Sequence, residues 1–223
     1  MSDTELSKTA FMGKITAGAT HEMKNVLAII RESAGLMEDL LGASGEASFP
    51  IREKFLKILS GIGNQVTRGV NLANALNRFA HNPDEPIATV DINSLIDGLI
   101  FLCQRFALSK KVILKNIAHE QPLLYTCDPV RFQMIIYRGI DLLLGTATPG
   151  TTIRIQAMAR TNGNPAVEFL CEGNAIDLHN IPQTAKELLW DPMVACAESM
   201  NAKVEAGFPP ICFVMVFAEA AKS

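Results

Sequence analysis

The stretch "GKITAGATHEMKNVLAII", residues 13–30, sets the reading of the N-terminal part of this chain. Its apolar positions Ile15, Ala19, Met23, Leu27 and Ile30 fall three or four residues apart, the spacing that aligns side chains along one face of an α-helix. Phe11 precedes them and Ala34, Met37 and Leu41 follow, so one long amphipathic helix is predicted from Ser7 to Leu41. "GASGEASFP", residues 42–50, ends it with glycines, serines and a proline. The pattern resumes at Ile51, Phe55, Ile58, Ile62, Val66, Val70, Ala73, Leu76 and Ala80, which predicts a second long helix. Two such helices joined by a turn make a hairpin whose apolar stripes each keep an uncovered flank. A second copy of the hairpin covers both flanks at once, so a homodimer closing a four-helix bundle through residues 7–81 is expected.

"HNPDEP", residues 81–86, contains two prolines that block helix continuation. It opens a linker, residues 82–89, between a helical unit (1–81) and a remainder (90–223) of different texture. There "DINSLIDGLIFLCQRFALSK" is helical in spacing, "VILKNIA" alternates like a strand, and "DPVRFQMIIYRGIDLLLGTA" is a helix with an Asp-Pro start. "TTIRIQAMA", "AVEFLCE" and "ICFVMVFAE" read as three more strands, the last two nearly continuous in apolar character and therefore buried. A short helix ahead of the last strand is expected to use Trp190 to pack on the sheet. The expected fold class is α+β, a dimeric helical hairpin followed by an α/β sandwich with a mixed sheet.

The 223 residues, 48% hydrophobic, suffice for one or two domains. Basic and acidic residues number 20 and 23 without long runs of either sign, which argues against a nucleic-acid partner. The five cysteines are dispersed and odd in number, a pattern of reduced thiols rather than a disulfide framework or a zinc site. No uninterrupted apolar stretch reaches the length of a membrane span, about 20 residues, and the N-terminus shows no signal pattern. A cytoplasmic protein is expected.

The chemistry-bearing feature of the first helix is His21-Glu22. A zinc-protease reading needs a second histidine four positions after His21, and Asn25 stands there. On a helix His21 shares a polar face with Lys14, Gly18, Asn25, Ala28 and Glu32, and is expected to face solvent. Gly13, Ala17, Gly18, Ala19 and Thr20 surround the approach with small side chains at a cost in helix propensity, leaving room for a docking surface. Lys14, Ala17, Gly18, Lys24, Ala28 and Glu32 are the expected partner-binding positions. Glu22 is suited to hold the ring tautomer and accept a proton, as a nucleophilic imidazole requires.

With the small-residue run, His-Glu-x-x-Asn and the apolar continuation together, this stretch resembles the phosphoacceptor helix of bacterial histidine kinases. The resemblance implies that His21 is the phosphorylated residue, Glu22 its acid/base neighbour, and Asn25 the position that orients a water when the partner is dephosphorylated. Val26 stands where such kinases usually carry a helix-kinking proline. "VDINSLIDGLIFLCQRFALSKKVILKNI", "DPVRFQMII", "LWDPM" and "GFPPICFVMVFAE" are similar to the ATPase domain of the same kinases, with its chemistry eroded. Aligned on that family, the two asparagines after the Asp-Pro start fall on Arg138 and Leu142, and the adenine-reading segment is "CEGNAI", with Cys171 for the aspartate, Gly173 kept and Ala175 for the second glycine. A thiol does not accept the adenine amino hydrogen bond as a carboxylate does. The phosphate-cradling glycine-rich lid is missing between "LWDPM" and "VACAESMNAKVEA". Arg138 is expected either to pair with Asp141 or Glu172 in the emptied pocket or to lie on the surface.

A retained histidine beside a degenerate ATPase fold resembles the dimeric histidine phosphotransferases of bacterial phosphorelays. The resemblance implies a relay of phosphoryl groups between receiver-domain aspartates through His21, with no ATP, no cofactor of its own, and magnesium supplied by the receiver. The partners it implies are response-regulator receiver domains and a sensor histidine kinase. Two competing readings stand beside it: a phosphatase of a phosphorylated response regulator using Glu22 and Asn25, and a non-catalytic pseudokinase scaffold.

Overall fold

A computed structural model describes residues 3–43, 52–81, 86–117, 121–160, 164–172, 183–207 and 211–218. Two long helices come first, α1 (Asp3–Ala43) and α2 (Arg52–His81), packed on each other along their lengths. Of the break predicted at residues 42–50, residues 44–50 lie outside the described residues, and 42 and 43 end α1. The chain resumes in β1 (Ala88–Asp91), then α3 (Ile92–Ser109), β2 (Ile113–Ile117), β3 (Leu124–Cys127), α4 (Pro129–Thr146), β4 (Thr152–Ala159) and β5 (Pro165–Glu172). After these come the short α5 (Gln183–Ala185), a π-helical turn (Lys186–Trp190), α6 (Asp191–Glu198), β6 (Ala202–Ala206) and β7 (Ile211–Phe217).

The main sheet is five-stranded in the order β2-β4-β5-β7-β6, with β2 parallel to β4 and every other pair antiparallel. β1 and β3 form a separate antiparallel pair, Ala88 opposite Cys127. β4 shows why one face carries the helices: Ile153, Ile155 and Ala157 are fully buried, while Thr152, Arg154 and Gln156 alternate toward the half-exposed side. α3, α4 and α6 cover the buried face, and the structure is α+β.

Local chemistry fixes the helix starts. Asp91 caps α3, its carboxylate accepting from the Asn93 and Ser94 amides at 3.3 Å and from the Ser94 hydroxyl at 2.7 Å. It also accepts the Leu123 amide at 3.0 Å, which ties the β3 approach to the α3 start. Burial alone would raise the Asp91 pKa; the Ser94 hydroxyl and the Leu123, Asn93 and Ser94 amides outweigh it and hold the carboxyl below its ordinary value. α4 begins as expected, with Asp128 accepting the Arg131 amide at 3.0 Å and Pro129 in the first turn.

Three short strands, β1, β3 and β6, were not expected from sequence, and β1 begins inside the predicted linker 82–89. Four- or five-residue strands with small or polar members give too short a period to stand out. Trp190 packs edge-on against Phe213 of β7 at 5.8 Å, as expected. α3 alone among the described helices is long and apolar enough to cross a membrane by length and composition. Its Ile92, Ile96, Leu99 and Cys103 are instead fully buried among the hairpin, α4 and the sheet.

The helical hairpin and the α/β half share one hydrophobic core. Phe11, Ile15 and Ala19 of α1 and Leu72, Ala75 and Phe79 of α2 belong to the same buried cluster as Ile96, Tyr137 and Ile140. Phe11 meets Phe79 edge-on at 5.5 Å and Tyr137 at 5.4 Å. Farther along the hairpin, apolar positions outside this buried face are open: Leu27 is 58%, Val70 53% and Val66 48% exposed. On α2, Ala73 and Ala80 of the predicted stripe are exposed while Leu72, Ala75 and Phe79 are buried. At the height of Leu27 the inward position belongs to Val26, 2% exposed, which corrects the predicted stripe. The reason is Gly69 of α2: a Cβ there would lie 3.2 Å from a Val26 methyl, so the missing side chain admits Val26 into the contact between the helices.

Candidate functional site

His21 lies on α1 just beyond the point where the hairpin leaves the shared core. Two residues earlier Ala19 is buried, and a Cβ on Gly18 would come within 2.8 Å of the Phe106 ring of α3. His21 itself is exposed, as its helical face predicted, and Asn25, one turn on, is exposed too. Ala17, Lys24 and Glu32 are likewise exposed, and Ala28 is half-buried.

Three of the expected roles are altered by contacts that helical spacing could not show. Gly18, expected on the partner surface, faces the chain's own Phe106. Lys14, also expected there, sits 3.4 Å from the Asp141 carboxylate of α4 and 5.0 Å above the Tyr137 ring. With Lys8, which pairs with Asp128 at 2.6 Å, it clamps α1 to α4. Glu22, expected beside the imidazole as proton acceptor, turns its carboxylate to the guanidinium of Arg68 on α2. The side chain of Glu22 is only 17% exposed, so this pair is partly shielded from solvent.

A cleft of about 240 Å³ opens beside the Glu22–Arg68 pair, between the hairpin and α3. Ala19 and Leu72 contribute from the hairpin, and Phe101, Leu102, Arg105 and Leu108 from α3. Sequence reasoning missed Arg68 and Arg105. Neither stands at a fixed spacing from His21; α2 and α3 bring them there.

The positions aligned with a nucleotide site are filled or redirected. Leu142 is fully buried in α4. One turn before it, Gly139 lies so close to β5 that a Cβ would be 2.8 Å from the Phe169 ring and 3.2 Å from the Met215 methyl. Phe169 in turn stacks on Phe213 at 4.4 Å. The space between α4 and the sheet at this level is therefore occupied by hydrocarbon. Cys171 is buried and its thiol shares a hydrogen bond with the Cys212 thiol across the strands; that bond and burial push the Cys171 pKa upward. Lys14 engages Asp141, and Arg154 engages Glu172 at 2.5 Å, these being the two carboxylates expected for Arg138. Its guanidinium donates to the Cys196 thiol of α6, offsetting part of the upward push that burial gives that cysteine. Gly173 and Ala175 lie outside the described residues. Among the described residues no cluster of histidine, cysteine and carboxylate side chains could hold a metal ion.

No family model matches the chain, and no curated protein matches it. It is similar to solved structures of histidine kinases. The Acinetobacter baumannii histidine kinase AdeS is 13% identical, with a TM-score of 0.49 over 89% of this chain and 97% of that one. The catalytic domain of the histidine kinase ThkA is 10% identical, with a TM-score of 0.47 over 60% of this chain and 97% of that one. The cytoplasmic segment of the histidine kinase QseC is 14% identical, with a TM-score of 0.42 over 70% of this chain and 94% of that one.

Proposed function

We propose that this chain is a cytoplasmic, dimeric histidine phosphotransferase that passes phosphoryl groups between receiver-domain aspartates through His21 without using ATP. The observation that carries the reading is the position of His21: exposed, on the sequence motif of a phosphoacceptor helix, on a helix clamped to the α/β half immediately below it. The hydrocarbon filling between α4 and the sheet at Gly139 and Leu142 supports the part of the reading that dispenses with nucleotide.

In the reaction an imidazole nitrogen of His21 attacks the phosphorus of an aspartyl phosphate in line. The N–P bond forms as the bond from phosphorus to the aspartyl oxygen breaks; the receiver's carboxylate leaves with the electron pair, and the other ring nitrogen releases its proton to solvent. The receiver supplies the magnesium that neutralises the phosphoryl oxygens. This chain supplies position, the larger share of what such a transfer needs, since both linkages are already reactive. Reversal returns the group to a second receiver. The exposed apolar side chains Leu27, Val66 and Val70 support the homodimer, since a second hairpin laid along them removes that surface from water.

The test is to mix the full chain with receiver domains phosphorylated by acetyl phosphate. Label on His21 that is acid-labile and lost in His21→Ala supports transfer. Release of inorganic phosphate without labelled protein replaces the relay by the phosphatase reading on Asn25. A pathway indifferent to His21→Ala leaves the scaffold. A rise in melting temperature on adding magnesium and ATP contradicts the nucleotide-free reading.

A further inference from the structure

The cleft beside the Glu22–Arg68 pair carries charge that the fold does not balance. It holds two guanidiniums, Arg68 and Arg105, against the single carboxylate of Glu22, and Arg68 already takes that carboxylate. Among the described residues no carboxylate pairs with Arg105, which is half-buried on α3. Besides Glu22, Arg68 and Gln104 the lining is apolar: Leu72 and Leu102 are buried, and Phe101 and Leu108 are 38% and 62% exposed. A guanidinium with hydrocarbon walls and no internal counter-ion suits a carboxylate carried in on an apolar surface, since the fork geometry of arginine binds a carboxylate with two parallel hydrogen bonds. The cleft lies between the hairpin and α3, and Glu22 in its lining is the residue next to His21 on α1.

We propose that this cleft is a docking pocket for the receiver-bearing partner, in which Arg105 pairs with an acidic side chain flanked by an apolar one on the partner's surface. It rests on the phosphotransfer reading above, and Arg105 is a positioning residue with no part in the chemistry. A charge at the rim of an interface governs encounter and salt sensitivity more than the chemical step. The signature is therefore in KM and not in kcat.

The experiment uses the full chain and receiver domains phosphorylated with acetyl phosphate, measuring labelling of His21 and, separately, direct receiver binding at several salt concentrations. Arg105→Glu should raise KM and the binding Kd by roughly tenfold, leave kcat within about twofold, and flatten the salt dependence. Arg78→Glu, an exposed α2 residue on a different groove, should change neither. Arg105→Gln, which removes the charge without reversing it, gives a smaller rise in the same direction and keeps the test alive if the glutamate variant misfolds. Unchanged KM and Kd in both Arg105 variants, or an equal rise in Arg78→Glu, overturns the pocket while labelling stands. Receiver binding that is sensitive to Arg105 but yields no label on His21 supports the pocket and ends the relay. Receivers that do not bind at all overturn both.

Discussion

The apolar residues at the two ends of the hairpin meet opposite fates. Near the α/β half, Ile15 is fully buried and Phe79 is 2% exposed. Beyond His21 the inward face is closed by Val26, and apolar positions turned away from it, Leu27, Val66 and Val70, stand about half open. Periodicity reports that a face is made for burial; it does not report what buries it. At one end the answer is α3 and α4 of the same chain, and at the other the proposed answer is a second copy. His21 sits at the change-over, where the helix is packed on the α/β half on one side of it and exposed at His21 itself.

The largest effect should come from the fused end. Phe79→Ala removes a side chain from the shared core and should cost about 3–5 kcal/mol by chemical denaturation. A loss below about 1 kcal/mol would mean that the hairpin only rests against the α/β half, and the contrast would dissolve. At the open end, Val66→Glu with Val70→Glu should leave the melting temperature of the fold nearly unchanged. It should move the sedimenting species from two chains to one, because burying two carboxylates in the dimer seam costs several kcal/mol. If the native chain already sediments as one, the open stripe has some other cover.

Smaller changes sharpen the picture within the α/β half. Gly139→Ala places a methyl into Phe169 and Met215; overpacking of about 1–3 kcal/mol works against the roughly 0.5–1 kcal/mol that alanine gains in a helix, so net destabilisation is expected. A stabilised variant would show that the α4–sheet contact has slack. Asp91→Ala should cost about 1 kcal/mol through the lost cap of α3, and Asp91→Asn should recover most of it. Since the Asp91 pKa is held below its ordinary 3.8, its contribution is fully present above that value and lost as the pH falls through the lowered one. Wild-type stability should therefore decline in acid more steeply than that of Asp91→Asn, by a few tenths of a kcal/mol for a group still partly open to solvent.

Much of the fold was legible. Helix α1 is read as Ser7–Leu41 and runs Asp3–Ala43; α2 is read from Ile51 to Ala80 and runs Arg52–His81. Strands β2, β4, β5 and β7 lie where alternation or continuous apolarity put them. The short strands escaped because their hydrogen-bond partners, not their own composition, define them. At the site, exposure of His21 followed from its helical face. The fates of Lys14, Gly18 and Glu22 did not, because each meets a residue more than 40 positions away: Asp141, Phe106 and Arg68.

The sequence alone determined the helices, four of the strands, the break between the two textures, and the face on which the histidine sits, because each follows from periods of two to four residues along one chain. Only the tertiary structure decided that the hairpin base joins the α/β core, that Val26 and not Leu27 turns inward opposite Gly69, and that two arginines and Glu22 line one cleft. Those outcomes depend on how closely separate elements approach, and that distance is set by the shapes of side chains that are strangers in sequence.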